Sequence, residues 1–386
     1  MNKNQIACFA FCICLLACHQ KSKKPAAPEA PASKYVFTSI KEMPALPVTD
    51  QNSSGTCWSF STASFLETEI IRLKGEKIKL SEMFFVRGAY LLKARNYILR
   101  QGTARFTEGG LNHDPLITAA FFGILPESAY TGLINGQTRH NHFKMFAELE
   151  DSVKRYASPA NKRGVAWKQE VPHIMDKYMG GVPDSFQYNG NTYTAKSFLA
   201  YTKLNPDDYI TITSFTHVPF YKPFVLSIPA NWADQKYQNL PLDEFIDNIN
   251  HAIDAGYSLA LDLDGTEPTF TSELGVIPED PGDNKRILYD ILPEKKITQK
   301  MRQDAFENFE TTDDHLVHIV GKAKDQQGNI YYKCKNSWGP KAGRHGYLYL
   351  SIPYIRMKGI SVLLHKQGLT KQTVQKLSVF LNTVKF

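Results

Sequence analysis

Two apolar, β-prone runs, His315 to Ala323 and Ile330 to Cys334, flank the turn-like stretch Asp325-Gln326-Gln327-Gly328. No other pair of segments in the chain specifies its pairing so directly. A hairpin folded at Gln326-Gln327 is antiparallel with a fixed register, because a slip of one residue would turn every side chain to the wrong face. That register brings His315, which opens the first strand, beside Asn336, which closes the second. Tyr347 to Ile352 reads as a further strand. Phe224 to Ile228 and Tyr257 to Leu263 are two more, separated by a helix from Leu242 to Ala255. The part of the chain beyond about residue 220 is therefore β-rich.

The part before it is helical. Tyr35 to Thr49 reads as a strand and loop. From Cys57, apolar residues recur at helical spacing through Leu73 to Gly75, a good stop. Ser81 is placed to cap a second helix over Glu82 to Leu92, Gly109-Gly110 marks a loop, and Asp114 to Phe122 is a third helix. Residues from about 139 to 215 carry much charge and weak periodicity, and read as a helical, loop-rich insert. A length of 386 residues with 42% apolar composition allows one large two-lobed domain or two ordinary ones. The net charge of +7 is spread along the chain apart from Lys21, Lys23 and Lys24, so there is no basic patch of the kind that would mark a nucleic-acid partner.

Lys3 precedes an apolar run from Ile6 to Leu16 that ends in Leu15-Leu16-Ala17-Cys18. The run is too short to span a bilayer, which needs about 20 residues. A basic start, a short apolar run and a small residue before the cut make a secretory signal over residues 1–17. Cys18 after Leu-Leu-Ala resembles the bacterial lipobox, whose cysteine is acylated. The alternatives are a signal peptidase site beside a bystander cysteine, or a buried helix. On the lipobox reading the protein is a membrane-anchored lipoprotein of the cell envelope, facing the periplasm. Residues 18–34, rich in Pro, Ala and Lys, then form its tether, and residues 35–386 form the globular domain. Cys8, Cys12 and Cys14 leave with the signal and Cys18 takes the lipid, so only Cys57 and Cys334 remain as thiols. With no disulfide framework, each thiol needs its own explanation.

Cys57 stands where the polar loop Gln51-Asn52-Ser53-Ser54-Gly55-Thr56 gives way to a helix. A thiolate at a helix N-terminus is stabilised by the dipole and by free N–H groups, although a lone cysteine before a helix is commonly a packing residue. A histidine held by an amide is a positioned general base, and with a thiolate it forms an ion pair. His315 and Asn336 supply that pair. His318, three residues along the strand, faces the other way. Cys334 reads as core, with a redox role as the alternative. His113, His140 and His142 lack dense metal-ligand spacing and read as exposed loop histidines. Asp262 and Asp264 end a strand, either as a structural turn or as one wall of a specificity pocket.

Gln51 through Phe60 resembles the active-site segment of papain-like cysteine peptidases. Asn336-Ser337-Trp338-Gly339 is similar to that family's asparagine motif, and Gly321 lies six residues after His315 as in its histidine segment. The resemblance implies an α+β papain-like fold with a helical N-terminal lobe, a β-rich C-terminal lobe and a helical insert. It implies a thiol peptidase with Cys57 as nucleophile, His315 as its proton partner and Asn336 as the residue that orients the histidine. Gln51 and the Cys57 N–H would hold the oxyanion. Gly109 and Gly110 would bind the extended substrate, and Trp338 would shield the His315–Asn336 bond. It implies peptide substrates, no cofactor and no metal.

Leu80 to Leu92, Gly109 to Tyr130 and Leu242 to Asp262 are locally similar to the bleomycin hydrolase and aminopeptidase C branch, as are the absence of room for a pro-domain and the size of the insert. In that branch the chain's own C-terminus enters the cleft, which implies an aminopeptidase. Here the tail Ser378 to Phe386 is apolar enough for a groove, but Lys385 beside the terminal carboxylate offsets its charge. An endopeptidase stays the alternative within the family. Outside it, a cell-wall amidase of the other periplasmic Cys–His type lacks both the glutamine and the Asn-Ser-Trp-Gly run. A non-catalytic peptide-binding lipoprotein is the remaining reading.

Overall fold

A computed structural model describes residues 33–158, 160 and 164–381, with side chains as far as Leu377. The signal segment, Cys18, most of the tether and the tail 382–386 lie outside the described residues, and among those described no helix is long and apolar enough to cross a membrane.

After strand β1 (Thr38–Glu42), the N-terminal lobe is built around α1 (Cys57–Lys74), which is buried on every side from Trp58 to Ile70. It ends at Gly75 in the left-handed conformation (φ 74°), whose N–H closes on the Ile71 carbonyl at 2.8 Å, a position suited to glycine. Helix α2 (Glu82–Leu99) starts where expected: the Ser81 hydroxyl accepts the Phe84 N–H at 3.0 Å. It continues past Leu92 because Lys93-Ala94-Arg95 are good helix formers. Helix α3 (Asp114–Phe122) matches its expected bounds. Helices α4 (Phe143–Ala157) and α5 (Trp167–Met179) cover α2 through Met145, Leu149, Val171 and Met175.

A small hairpin, β2 (Phe186–Tyr188) with β3 (Asn191–Tyr193), and α6 (Ala195–Thr202) lead to β4 (Tyr209–Thr213). Here the structure corrects the sequence reading. The stretch 139–215 is not wholly a helical insert, because β4 pairs with β12 in the main sheet, Ile212 opposite Val362. Its short signal, a tyrosine and four β-branched residues, directly follows Asp207-Asp208.

Strands β5 (Pro223–Val225) and β6 (Lys236–Asn239) follow, then α7 (Leu242–Asp254), β7 (Leu259–Leu263), β8 (Leu274–Gly275) and α8 (Gln299–Glu307). The hairpin is β9 (His315–Lys324) with β10 (Ile330–Lys335), followed by β11 (Tyr347–Ser351), α9 (Ile352–Lys358), β12 (Gly359–His365) and α10 (Lys371–Leu381). The sheet runs β5-β6-β4-β12-β7-β9-β10-β11-β8, with β1 also on β9. Strand β12 shows no alternation because it is buried on both faces.

The hairpin register is irregular between Lys333 and Cys334: Lys333 faces Gly321, whereas Cys334 faces Ile319. Val320 is the extra residue, and its carbonyl accepts the Met43 N–H at 2.8 Å. Beyond it Lys335 faces His318, so Asn336 lies diagonal to His315 rather than opposite it. Gly321 has its own cause, since a Cβ there would lie 2.2 Å from the Lys41 carbonyl of β1.

Candidate active site

The groove between the lobes is lined on one side by Gln51, Gly55, Cys57, Gly109, Gly110 and Leu111, and on the other by Asp313, Asp314, His315 and Leu316. Cys57, half-buried at the first turn of α1, accepts backbone N–H groups from Trp58 of its own helix and Leu316 of β9. The nucleophile candidate is thus fixed by the helix start and by the strand that begins with His315.

The His315 Nε2 lies 2.9 Å from Asn336 Oδ1. That oxygen also accepts the Ser337 backbone N–H at 2.8 Å. A backbone N–H can only donate, so the amide orientation is fixed, and Nε2 must carry the hydrogen it shares with Asn336. The other ring nitrogen, Nδ1, is then the one left free to accept a proton. Trp338 stacks on His315 with ring centroids 4.8 Å apart, and Phe270 meets His315 edge-on at 6.0 Å. Trp338 therefore covers the imidazole and lies outside the groove lining.

Burial acts against charge on either partner taken alone. It pushes the Cys57 thiol up to about 11, against two N–H bonds that favour thiolate. It pushes His315 down to about 4, against the Asn336 bond. This differs from the expectation that the helix start and the imidazole hold the thiol below its ordinary range. Moving the proton from sulfur to imidazole creates both charges together, and their attraction in a dry groove offsets part of that burial cost.

Gln51 ties the nucleophile loop to the asparagine segment. Its Nε2 donates to the Ser54 carbonyl at 2.7 Å, its Oε1 accepts from Ser337 Oγ at 2.5 Å, and its backbone N–H donates to the Ser337 carbonyl at 2.9 Å. One Nε2 hydrogen remains for a ligand. Gly109 is exposed and its carbonyl accepts from buried Lys93. Gly110 is buried, and a Cβ on it would come within 2.5 Å of Asp114 Oδ2 and 2.9 Å of the Trp58 ring. The protein's own packing demands glycine there, whatever the substrate does.

His318 is buried on the other face, its Nδ1 2.9 Å from Ser64 Oγ of α1. Cys334 is a buried core thiol. His113 and His142 are buried and His140 is half-buried, a departure from the expected exposed loop histidines. Among the described residues no group of three or more His, Cys, Asp or Glu is arranged to hold a metal ion. The two aspartates of β7 and its exit part company. Asp264 forms a turn, accepting Thr266 N–H at 2.9 Å and Thr312 N–H at 3.0 Å. Asp262 is fully buried near the groove.

Two features escaped the sequence reading. Asp313 and Asp314 precede His315, and that acidic pair was the visible signal. The second is a strap between β5 and β6, residues 226–235. It leaves the sheet of one lobe and is held by the other: Trp232 Nε1 donates to Asp114 Oδ2 at 2.8 Å, the Trp232 carbonyl accepts from Asn96 Nδ2 at 2.9 Å, and Asp234 pairs with Arg100. Asn231 staples its base, donating to the Leu226 and Gln235 carbonyls at 3.0 Å. Ala230 lines the groove, and the strap's anchor Asp114 also accepts the Leu111 N–H at 3.2 Å. The groove is therefore crossed at its Leu111 end.

Residues 180–383 match the family model described as "Peptidase C1-like family", and residues 36–93 match that of "Papain family cysteine protease". Aminopeptidase G of Lactobacillus delbrueckii subsp. lactis is 20% identical, with 87% of this chain and 85% of the relative covered. Aminopeptidase C of Streptococcus thermophilus is 23% identical, with 84% and 81% covered. The crystal structure of PepW from Lactobacillus rhamnosis superposes with a TM-score of 0.70 at 19% identity, over 90% of this chain and 86% of that one.

Proposed function

The chain belongs to the peptidase C1-like family and has the α+β papain-like fold, and from that premise we propose that it is a thiol-dependent aminopeptidase acting through Cys57, His315, Asn336 and Gln51. The observation that carries the reading is the fixed tautomer of His315, which leaves Nδ1 as the base for the groove that holds Cys57. Cys57 sulfur gives its proton to Nδ1 and attacks the scissile carbonyl. The oxyanion receives the Cys57 N–H and the spare Nε2 hydrogen of Gln51, a contribution often worth about 3 kcal/mol. The imidazolium returns its proton to the leaving amine, leaving a thioester. Water, deprotonated by Nδ1, then releases the acid and restores the thiol. Asn336 holds the ring in plane throughout, and Trp338 keeps water from the bond between them.

The strap favours trimming over internal cleavage, because a peptide running through the groove would meet residues 226–235. The relatives named aminopeptidases C and G point the same way. Cleavage of one peptide is to be compared with that of its N-acetylated form. Loss of nearly all activity on the blocked peptide is expected, and equal rates would make the protein an endopeptidase.

Of the tail expected to reach the cleft, Ser378 to Leu381 instead continue helix α10, and the rest lies outside the described residues. Helix α10 runs back along α7, with Thr373 bonded to Asn248 and Lys376 paired to Glu244 four residues nearer the start of α7. Anchoring through Cys18 is part of the proposal. Membrane partition that disappears in Cys18→Ser supports it, and a wholly soluble wild-type protein defeats it.

A further inference from the structure

Asp313 supplies a charge that the hydrolysis itself does not use. It lines the groove with Cys57 and His315, and its carboxylate accepts backbone N–H groups from its own residue and from Ala230 of the strap. It therefore stands where the strap meets the groove. Near it is Asp262, wholly buried, with Oδ1 lacking any partner. The buried hydroxyl of Tyr237 also lacks a partner and lies within the fields of Asp262, Asp114 and Asp313. Buried polar groups are nearly always satisfied. Two such oxygens without partners mark unsatisfied polar capacity close to the acidic wall of the groove.

Building on the aminopeptidase reading, we propose that Asp313, backed by Asp262, binds a primary ammonium of the substrate, the α-ammonium of its N-terminal residue, and so selects unblocked peptides. The scissile carbonyl belongs to the same residue as that ammonium. An anchor beside the nucleophile therefore fixes the cut one residue from the end. The strap excludes further residues sterically, and Asp313 replaces the hydration of the amine that the strap removes.

Titration gives the site a signature. Burial raises Asp313 to about 6; Asp314 also raises it, while its two backbone bonds and the field of Arg105 lower it. Besides Asp314, Arg105, Cys57 and His315 in the groove lining, Asp262 of β7 and Tyr237 of β6 are titratable groups within its field. Burial favours the neutral forms of both, so the charge of the groove wall is carried by Asp313 with Asp314 beside it, whose carboxyl burial also raises. The Asp313 carboxylate is charged above about 6 and neutral below. A peptide α-ammonium, with an ordinary pKa of about 8, stays charged across that range. The KM for free peptides should rise as pH falls through about 6.

The test uses the intact chain and measures kcat/KM for a free peptide, its N-acetyl form, and acetylated peptides bearing lysine or norleucine at the cleaved position. In Asp313→Asn the free-to-acetylated ratio should fall at least tenfold, through KM, and the rise of KM with acidity should disappear. Iodoacetamide labelling of Cys57 in the same variant reports that the groove is intact. If the wild type prefers free peptides and Asp313→Asn keeps that preference, the anchor lies elsewhere and this proposal fails, while the aminopeptidase reading stands. If the wild type shows no such preference, both fail as stated. A lysine preference lost in Asp313→Asn would then identify the ammonium as a side chain and overturn the α-ammonium assignment.

Discussion

At the scale of single residues, burial and hydrogen bonding pull against each other at the Cys57–His315 pair. Every bond to the pair favours the charged forms: two N–H groups on sulfur and the Asn336 carbonyl on Nε2. Burial opposes both. If the proton is shared within the pair, iodoacetamide should alkylate Cys57 quickly at pH 6, with a rate flat to pH 8. In His315→Ala the thiol loses its partner, and the rate should climb with pH toward about 11, where burial holds it against its two N–H bonds. A wild-type rate that climbs steadily through pH 8.5 and beyond would mean a neutral resting pair. Cys57, His315, Asn336, Gln51 and Trp338 could be singled out in the sequence because each sits in a short contiguous segment, and the structure brings those segments together. Asp313 was not singled out, because its importance depends on what closes over it: Ala230 is distant in sequence, and the Asp262 carboxylate shows its missing partner only once the sheet is packed.

Among the elements, the hairpin β9–β10 positions the site, and its departure from regular pairing matters. The extra residue Val320 shifts the register, so the His315–Asn336 bond is made diagonally by side chains. Strand β1 crosses β9 at the same place, Glu42 opposite Gly321. Gly321→Ala would drive a methyl to 2.2 Å from the Lys41 carbonyl. Because that carbonyl is backbone, relief requires moving β1. The variant should lose roughly 1–3 kcal/mol of stability in denaturant titration, and an unchanged midpoint would show that β1 is easily displaced. The sequence revealed this hairpin, α1, α3 and α7 through periodicity and capping. It hid β4, short and directly after Asp207-Asp208, and β12, whose two buried faces erase the alternation that marks a strand.

For the whole molecule, the main result is how two lobes of different construction meet. The buried helix α1 presents Cys57 at its first turn, the sheet presents His315 at the edge of β9, and Gln51 bonds across to Ser337 to hold the two together. A strap from the sheet then fastens onto α2 and α3 and crosses one end of the groove. The two-lobed layout could be read from the shift of helical to β-rich sequence near residue 220. The strap could not, because Phe224 to Ile228 reads as a strand whereas β5 ends at Val225, and the strap's meaning lies in Trp232 reaching Asp114. All of this has a purpose only if Cys57 is a working nucleophile. The direct measurement is to titrate the protein with a thiol-directed epoxide while following turnover of an unblocked aminoacyl fluorogenic substrate, and to locate the label by mass spectrometry. A Cys57 nucleophile predicts that one equivalent abolishes turnover with the label on Cys57. Turnover that survives complete labelling of Cys57, or is lost only when Cys334 is labelled, would contradict it.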